Sequence, residues 1–381
     1  MRLVRGLLTS AIAAALVLPG GAAIARPSPR HVVPGKVPNP GADQAIYGVD
    51  AMSPTSAWAV GYVDDGISGQ NLILQWKKTK WKVSPAPSPG GNSFADQLQA
   101  VSAASKTDAW AVGWYGNGPG YSSAALHWNG SSWTQVSTPN PGAWNFLQGV
   151  VDISSTNAWA VGYYLDGSDN YQSLALHWNG ATWSQVATPS GGTSTEVYSV
   201  SAVSAADIWA VGVSGTPSGS TFAMHYNGSS WSQVATPNPG SSPVLSSVSA
   251  ASSNDVWAVG NTFGTSVQQT LIEHWNGSSW SQASSPNPGG SSVANVLMGT
   301  AAVSSSDAWA VGYEGGNTMI LQWNGSSWSQ VSAPSPGPLY SRLNAVSAAS
   351  ASDAWAGGNN VAKRKGYNLL LGWNGSGWSQ A

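Results

Sequence analysis

A short motif, Trp-Ala-Val-Gly, recurs seven times in this chain and constrains its fold more than any other feature. The last copy is the variant Trp-Ala-Gly-Gly, and successive tryptophans are 52, 49, 50, 48, 52 and 46 residues apart. They are Trp58, Trp110, Trp159, Trp209, Trp257, Trp309 and Trp355. Repeats of this length that each contain several short strands are typical of β-propellers, with one four-stranded blade per repeat. We therefore predict an all-β fold, a seven-bladed β-propeller with four antiparallel strands per blade.

The N-terminus has the pattern of an export signal. Arg2 and Arg5 precede an apolar stretch at 6–18, and the small residues at 23–25 form a cleavage site. That stretch is too short to span a bilayer, and no later run is apolar enough. We predict a signal peptide at 1–25, a segment at 26–42 that helps to close the ring, and the propeller at 43–381. The protein is expected to be secreted, extracellular and not inserted in a membrane.

The charge balance argues against several kinds of partner. Without Arg2 and Arg5 the chain has 12 basic and 16 acidic residues, a net charge of −4. Lys106 is the only lysine or arginine between Val83 and Ser341. So few cations cannot neutralise a phosphate backbone, and nucleic acid is therefore excluded as a partner. The chain has no cysteine, which rules out thiol nucleophiles, disulfides and cysteine-dependent metal sites.

The second repeat shows how one blade is built. Residues 98–102, 109–114 and 124–128 are predicted as its first three strands, and the fourth follows at 131. In the second strand, large side chains alternate with alanine and glycine, so each face has one kind. We expect the tryptophan face of one blade to pack on the small-residue face of the next.

An Asn-Gly pair connects the third and fourth strands of most repeats. Asn129-Gly130 predicts a two-residue type I′ turn, in which Trp128 faces Ser131 and Leu126 faces Trp133. The same pair recurs at 179–180, 227–228, 276–277, 324–325 and 374–375, whereas the first repeat has Lys-Lys-Thr-Lys at 77–80.

A tight turn that leads into a tryptophan resembles the Asp-box of sialidases and of photosystem II assembly-factor-type propellers. The second-strand sequence Asp-Ala-Trp-Ala-Val-Gly is similar to the latter group and to tandem-repeat propellers of exported bacterial proteins. The resemblance covers 43–381 and implies a propeller fold. Sialidase chemistry needs three arginines from different blades, and this propeller has only Arg342 and Arg364. We predict that the protein is not an enzyme, with a carbohydrate-active hydrolase or lyase as the less favoured alternative.

Repeated polar residues near the motif are interpreted as structural. The histidines directly before the turn aromatic are expected to bond across the hairpin to Ser132, Thr182, Ser230 and Ser279; they are His127, His177, His225 and His274. The aspartates two residues before the motif tryptophan are expected to cap local backbone N–H groups; they are Asp108, Asp207, Asp255, Asp307 and Asp353. Loops at 64–66 and 166–170 lack the full ligand spacing of a calcium site. We predict no catalytic residue, no metal site and no cofactor.

The loops between second and third strands share one face of the disc and carry the candidate site. Repeats two and three have the most aromatic residues there, beside carboxylates and amides, a combination that suits the C–H faces and hydroxyl edges of sugars. The predicted ligand-binding residues are Trp114, Tyr115, Tyr121, Tyr163, Tyr164, Asp166, Asp169 and Tyr171. We predict a monomeric, exported, carbohydrate-binding module whose partner is an extracellular glycan. A scaffold that binds a protein surface is the main alternative.

Overall fold

The computed structural model describes residues 37–64, 66–192, 194–215, 219–263 and 267–381. The predicted signal peptide therefore lies outside the described residues. Within the described ranges, no helix is long and apolar enough to cross a membrane.

The described chain consists of short strands. In chain order they are β1 (Asp43–Ser53), β2 (Ser56–Asp64), β3 (Gly69–Lys77), β4 (Lys80–Val83), β5 (Asp96–Ser105), β6 (Asp108–Gly116), β7 (Tyr121–Trp128), β8 (Trp133–Gln135), β9 (Trp144–Ser154), β10 (Asn157–Leu165), β11 (Tyr171–Trp178), β12 (Trp183–Val186), β13 (Thr195–Ser204), β14 (Asp207–Ser214), β15 (Ser220–Tyr226), β16 (Trp231–Val234), β17 (Ser241–Ser252), β18 (Asp255–Phe263), β19 (Gln268–Trp275), β20 (Trp280–Gln282), β21 (Asn295–Ser304), β22 (Asp307–Glu314), β23 (Asn317–Trp323), β24 (Trp328–Gln330), β25 (Tyr340–Ser350), β26 (Asp353–Ala362), β27 (Lys365–Trp373) and β28 (Trp378–Gln380).

Each consecutive set of four strands forms one antiparallel meander, from meander one (β1–β4) to meander seven (β25–β28). Five meanders are separate four-stranded sheets. Meanders two and three belong to one eight-stranded sheet, joined by a single parallel residue pair, Tyr121 with Trp144. The all-β fold built from four-stranded repeats is confirmed, and the repeats are in phase with the meanders. The count of seven blades stays a prediction because of that shared sheet.

The motif tryptophans join successive meanders. Trp58 of meander one lies 5.1 Å, centroid to centroid, from both Trp128 and Trp133 of meander two. It also shares a core cluster with Ala109 and Ala111, which confirms the predicted packing of large on small faces. Each of these motif tryptophans is buried, and each contacts the third- and fourth-strand aromatic pair of the next meander.

The last meander packs against the first, so the meanders close into a ring. Trp355 of meander seven lies 4.7 Å from Trp76 and 5.0 Å from Trp81, both in meander one. A backbone contact runs across the same junction, where the Ala51 N–H donates to Ser347 Oγ at 3.0 Å. The contact between chain-distant meanders therefore repeats the contact between consecutive ones.

The N-terminal segment just before β1 lies on meander seven. The backbone N–H of Asn368 donates to Asn39 Oδ1, and its side-chain amide donates to the Pro38 carbonyl, both at 2.8 Å. Elsewhere the crossing to the next meander makes this contact: the Ser123 N–H donates to Asn140 Oδ1 at 2.7 Å. Residues 37–41 thus take the place of a crossing after the last meander.

The predicted two-residue type I′ turn is wrong. Trp128 pairs with Trp133, and Leu126 pairs with Gln135, so the connection has four residues. Only Gly130 has a positive φ, 91°. Asn129 instead uses its side chain, whose Oδ1 accepts the N–H groups of Ser131 and Ser132, both at 3.0 Å. This Asx turn satisfies backbone donors that a tighter hairpin would have paired directly.

The predicted partners of the repeated histidines and aspartates are also wrong. His127 Nε2 lies 2.7 Å from Asp108 Oδ1, which belongs to the adjacent second strand. The equivalent pairs are His225 with Asp207 and His274 with Asp255, at 2.8 Å each, and His177 with Asn157, at 3.1 Å. The imidazole also packs against the motif tryptophan, with ring centres 4.5 Å apart in the case of Trp110. Strand pairing places each histidine against the second strand, which gives Asp108, Asp207 and Asp255 cross-strand partners in place of local backbone ones.

The antiparallel order gives the ring two distinct faces. Loops between second and third strands, and crossings between meanders, lie on one face, which we call the upper face. Turns between first and second strands, and between third and fourth strands, lie on the lower face. Both the predicted loop aromatics and the starts of the first strands are therefore on the upper face.

Candidate functional site

A central channel of about 470 Å³ runs along the seven first strands. In each first strand a β-bulge interrupts the pairing with the second strand. A bulge leaves one residue unpaired and re-aims its side chain. Each of these bulged residues lines the channel: Tyr47, Gln99, Gln148, Tyr198, Ser246, Met298 and Asn344. The channel wall is therefore polar and aromatic and differs from meander to meander.

A ring of cross-strand pairs surrounds the upper end of this channel, and we call it the mouth layer. Each pair joins the residue two before the bulge to the residue directly after the Gly that ends the motif. The pairs are Ala45–Tyr62, Gln97–Trp114, Phe146–Tyr163, Glu196–Val213, Val244–Asn261, Val296–Tyr313 and Arg342–Asn359. The second strand repeats almost unchanged up to this layer and diverges within it. Each meander therefore places a different pair of side chains at the mouth of the channel.

Aromatic rings from meanders two to four form a continuous cluster at the upper face. Trp114 lies edge-on to Tyr121, 5.1 Å away, and both contact Phe146. Phe146 lies 5.3 Å from Tyr163. The aromatic cluster comprises Trp114, Tyr121, Trp144, Phe146, Tyr163, Tyr171 and Tyr198. Trp144 is its most exposed ring, with 38% of its surface accessible.

Four of the eight sequence-predicted site residues belong to this cluster: Trp114, Tyr121, Tyr163 and Tyr171. Sequence reasoning missed its other three members. Phe146 could have been found by pairing it across the strands with Tyr163, since it is the residue opposite. Trp144 and Tyr198 join the cluster only through contacts between meanders, with Tyr121 and Tyr163 respectively.

The remaining predicted residues lie around the cluster and not within it. Tyr164 packs against the apolar core between meanders two and three, and Tyr115 is half-buried at the end of β6. The Asp166 carboxylate accepts the N–H groups of Asn170 and Ser168, which lower its pKa. Asp169 is exposed at the tip of the same loop, with a φ of 61°. The loop is therefore organised by Asp166, while Asp169 faces solvent.

Two charged residues occupy the mouth layer. Glu196 accepts a hydrogen bond from the Tyr198 hydroxyl at 2.9 Å, and burial raises the pKa of its carboxyl. Arg342 lies in meander seven, three meanders further along the ring. Burial also raises the pKa of the Tyr163 hydroxyl, beside Glu196. The mouth thus has an acidic side at meander four and a basic side at meander seven.

The residues around the channel mouth offer groups that can bind a ligand. Among the described residues, no group of three or more histidines, aspartates and glutamates is placed to hold a metal ion. The ring also contains paired cross-strand aromatics, amides and hydroxyls around an open channel. Such a surface can stack against flat apolar faces and hydrogen-bond to polar edges.

Structure comparison identifies the fold class. The chain is similar to the β-propeller YCF48 from Cyanidioschyzon merolae, with a TM-score of 0.53, 15% identity, and coverage of 89% of this chain and 97% of that one. A second YCF48 structure, bound to D1 peptide, has a TM-score of 0.51, 14% identity, and coverage of 88% and 92%. U3-55K has a TM-score of 0.54, 10% identity, and coverage of 84% and 90%. No protein-family model matches the chain, and neither does any curated protein sequence. At these identities the likeness shows the propeller fold alone.

Proposed function

We propose that the protein is an exported, monomeric, non-catalytic seven-bladed β-propeller that binds carbohydrate through the aromatic cluster on its upper face. The contact that carries the proposal is the unbroken series of rings from Trp114 through Phe146 to Tyr163, next to the channel mouth. Pyranose rings have flat C–H faces that stack on aromatic rings, and their hydroxyls need hydrogen-bonding groups nearby.

Seven blades are supported by the core itself. Among the described residues, the buried apolar side chains fall into seven clusters, each of them between neighbouring meanders. One cluster lies between meanders two and three and contains Trp110 with Trp178 and Trp183. Packing of this kind supports two separate blades, since the one residue pair that joins their sheets lies at the upper edge. We therefore treat meanders two and three as two blades.

Polar groups around the aromatic cluster complete a sugar site. Gln148 lines the channel and lies beside the Tyr163 hydroxyl. Asn117 lies at the tip of the loop before Tyr121 and bonds Ser122 at 2.7 Å. Because the mouth layer differs between meanders, one composite site fits this surface better than seven equivalent ones.

The first prediction tests this site with Trp144→Ala and Tyr121→Ala. Each variant should weaken binding of a glycan identified on a glycan array by roughly tenfold or more, because a stacked ring at an interface typically contributes over 1 kcal/mol. Isothermal titration calorimetry measures the affinity. The thermal midpoint should barely change for Trp144→Ala, since the ring is partly exposed and outside the core clusters.

The matched control is Phe263→Ala. Phe263 is 42% exposed and ends β18 on the same face, outside the aromatic cluster. Its removal should leave glycan affinity unchanged. Wild-type affinity in Trp144→Ala and Tyr121→Ala, or binding of no glycan on the array, would rule out the carbohydrate proposal.

A protein-binding scaffold is the second candidate. Large apolar residues are exposed on the upper face around the mouth, among them Ile67, Phe94 and Leu339. The similar YCF48 propeller has been determined bound to D1 peptide. Loss of partner binding in Ile67→Ser and Leu339→Ser, with glycan binding absent, would favour this candidate over carbohydrate.

A further inference from the structure

We propose that the mouth layer of meander seven is an anion subsite, and that the glycan bound at the upper face carries a carboxylate that pairs with Arg342. The inference rests on the proposed carbohydrate-binding function and specifies its ligand class as acidic glycans.

Neutral groups from three strands hold the Arg342 side chain in place. Its Nε donates to Asn359 Oδ1 at 2.9 Å, across the mouth-layer pair. The guanidinium also lies close enough to the hydroxyls of Tyr47 and Tyr340 for its charge to lower their pKa against the effect of burial, and it is 6.0 Å from the centre of the Tyr340 ring. Tyr47 lines the channel, so the charge is fixed beside the channel mouth.

No carboxylate within the described part of the chain forms an ion pair with Arg342. Asp43, the carboxylate that acts on Tyr47, hydrogen-bonds to the Tyr62 hydroxyl at 2.9 Å and to the Gly366 N–H at 2.6 Å and makes no direct contact with Arg342. A half-buried guanidinium whose partners are all neutral gains most from an anionic ligand, because a charge-assisted hydrogen bond is about twice as strong as a neutral one.

The chemistry of the layer favours a carboxylate. The planar guanidinium matches the geometry of a carboxylate, and Arg342 is the one cation of the mouth layer, so it balances a single negative charge. Glu196 lies in the same layer at meander four. Its carboxylate would repel an acidic group of the ligand and accept hydrogen bonds from the ligand's hydroxyls. These two residues therefore orient the ligand, with its acid group toward meander seven and its hydroxyls toward meander four.

The direct test is NMR on the ¹⁵N-labelled full propeller. The Arg342 Nε–H signal, assigned with Arg342→Gln, is followed while D-glucuronate is added, and methyl glucoside serves as the neutral probe. We expect a saturable shift of this signal with glucuronate alone, with a Kd on the order of millimolar. The Arg364 signal, from the exposed β26–β27 loop, should not move. No shift at about 50 mM glucuronate, or equal shifts with the neutral sugar, would overturn the subsite.

A second measurement compares acidic glycans with their neutral counterparts on the array. The wild-type chain should prefer the acidic members, Arg342→Gln should reduce their affinity about tenfold or more, and Arg364→Gln should retain it. Glycan binding without acid preference overturns this inference and leaves the proposed function intact. An Arg342 response to glucuronate in a chain that binds no glycan through the aromatic cluster supports the anion subsite and overturns the proposed function.

Discussion

Glu273 is the residue whose position is hardest to reconcile with its chemistry. It lies in β19 with no accessible surface, and neither carboxyl oxygen has a hydrogen-bond partner among the described residues. The equivalent position holds an apolar side chain in the other six meanders: Leu74, Leu126, Leu176, Met224, Leu321 and Leu371. Burial raises the pKa of Glu273 to about 8, so the folded protein keeps this carboxyl neutral at neutral pH.

Glu273→Leu should therefore stabilise the protein, and the gain should depend on pH. A carboxyl whose pKa is raised on folding weakens the folded state as the pH rises from its unfolded pKa of 4.5 toward its folded value of about 8. We expect the gain in unfolding free energy to be small at pH 5 and roughly 2–4 kcal/mol at pH 8, with little further change above. Urea titrations at several pH values measure it.

Two variants separate the charge from the shape at this position. Glu273→Gln removes the ionisation while keeping the volume, so its unfolding free energy should lack the wild-type fall between pH 5 and 8. Leu321→Glu buries a carboxyl at the equivalent position of meander six and should lower the unfolding free energy of the protein. Equal stability of wild type and Glu273→Leu at pH 8 would show that the buried carboxyl costs nothing.

Individual elements are fixed by side chains that bond to the backbone of a neighbouring segment. In meander five, Asn287 Oδ1 accepts the Thr270 N–H at 2.8 Å, which anchors the crossing on the third strand. Asn39 makes the same contact with the third strand of meander seven, accepting the Asn368 N–H at the same distance, although the two residues are 329 positions apart in the chain. The two asparagines therefore do the same thing: each anchors a crossing segment on a third strand, Asn287 on a strand nearby in the chain and Asn39 on a distant one.

Asn39→Ala and Asn287→Ala should destabilise the protein by similar amounts, about 1–2 kcal/mol, since each leaves a part-buried N–H without its acceptor. Denaturant unfolding measures both. Asn117→Ala is the control, because this asparagine bonds only within the loop and to Ser122 at the start of β7. We expect it to lower the unfolding free energy by less than about 0.5 kcal/mol. If Asn287→Ala lowers the unfolding free energy and Asn39→Ala does not, residues 37–41 contribute nothing to closure of the ring.

At the scale of the whole molecule, stability depends on closure of the ring. Meander seven covers the Trp309 face of meander six on one side and the Trp76–Trp81 pair of meander one on the other. Since each blade buries its two faces only between neighbours, an open ring exposes two apolar surfaces.

A chain that lacks residues 339–381 should thus lose cooperative unfolding. We expect a broad transition with a markedly lower midpoint and binding of a hydrophobic dye, measured by circular dichroism and dye fluorescence. Truncation within the 26–36 segment, as far as Lys36, is the matched control because it keeps the crossing at 37–41. A truncated chain that melts as sharply as the full one would be incompatible with a closed ring.

The sequence determined the properties that depend on periodicity. The interval between Trp-Ala-Val-Gly motifs gave the meander length, and alternation in the second strand gave the large and small faces, because side-chain direction in a strand follows from position alone. The same alternation placed Trp114 and Tyr163 at the end of that strand, where the aromatic cluster begins. Loop composition also indicated Tyr121 and Tyr171, which join it.

Only the tertiary structure decided which side chains meet across strands and meanders. It paired His127 with Asp108, widened the Asn129 turn to four residues, and brought Phe146 and Tyr198 to the aromatic cluster. It also placed Arg342 beside Tyr47, from the opposite end of the chain. Pairing register, bulges and ring closure set these distances, and they depend on the packing of all the strands together, which no single repeat contains.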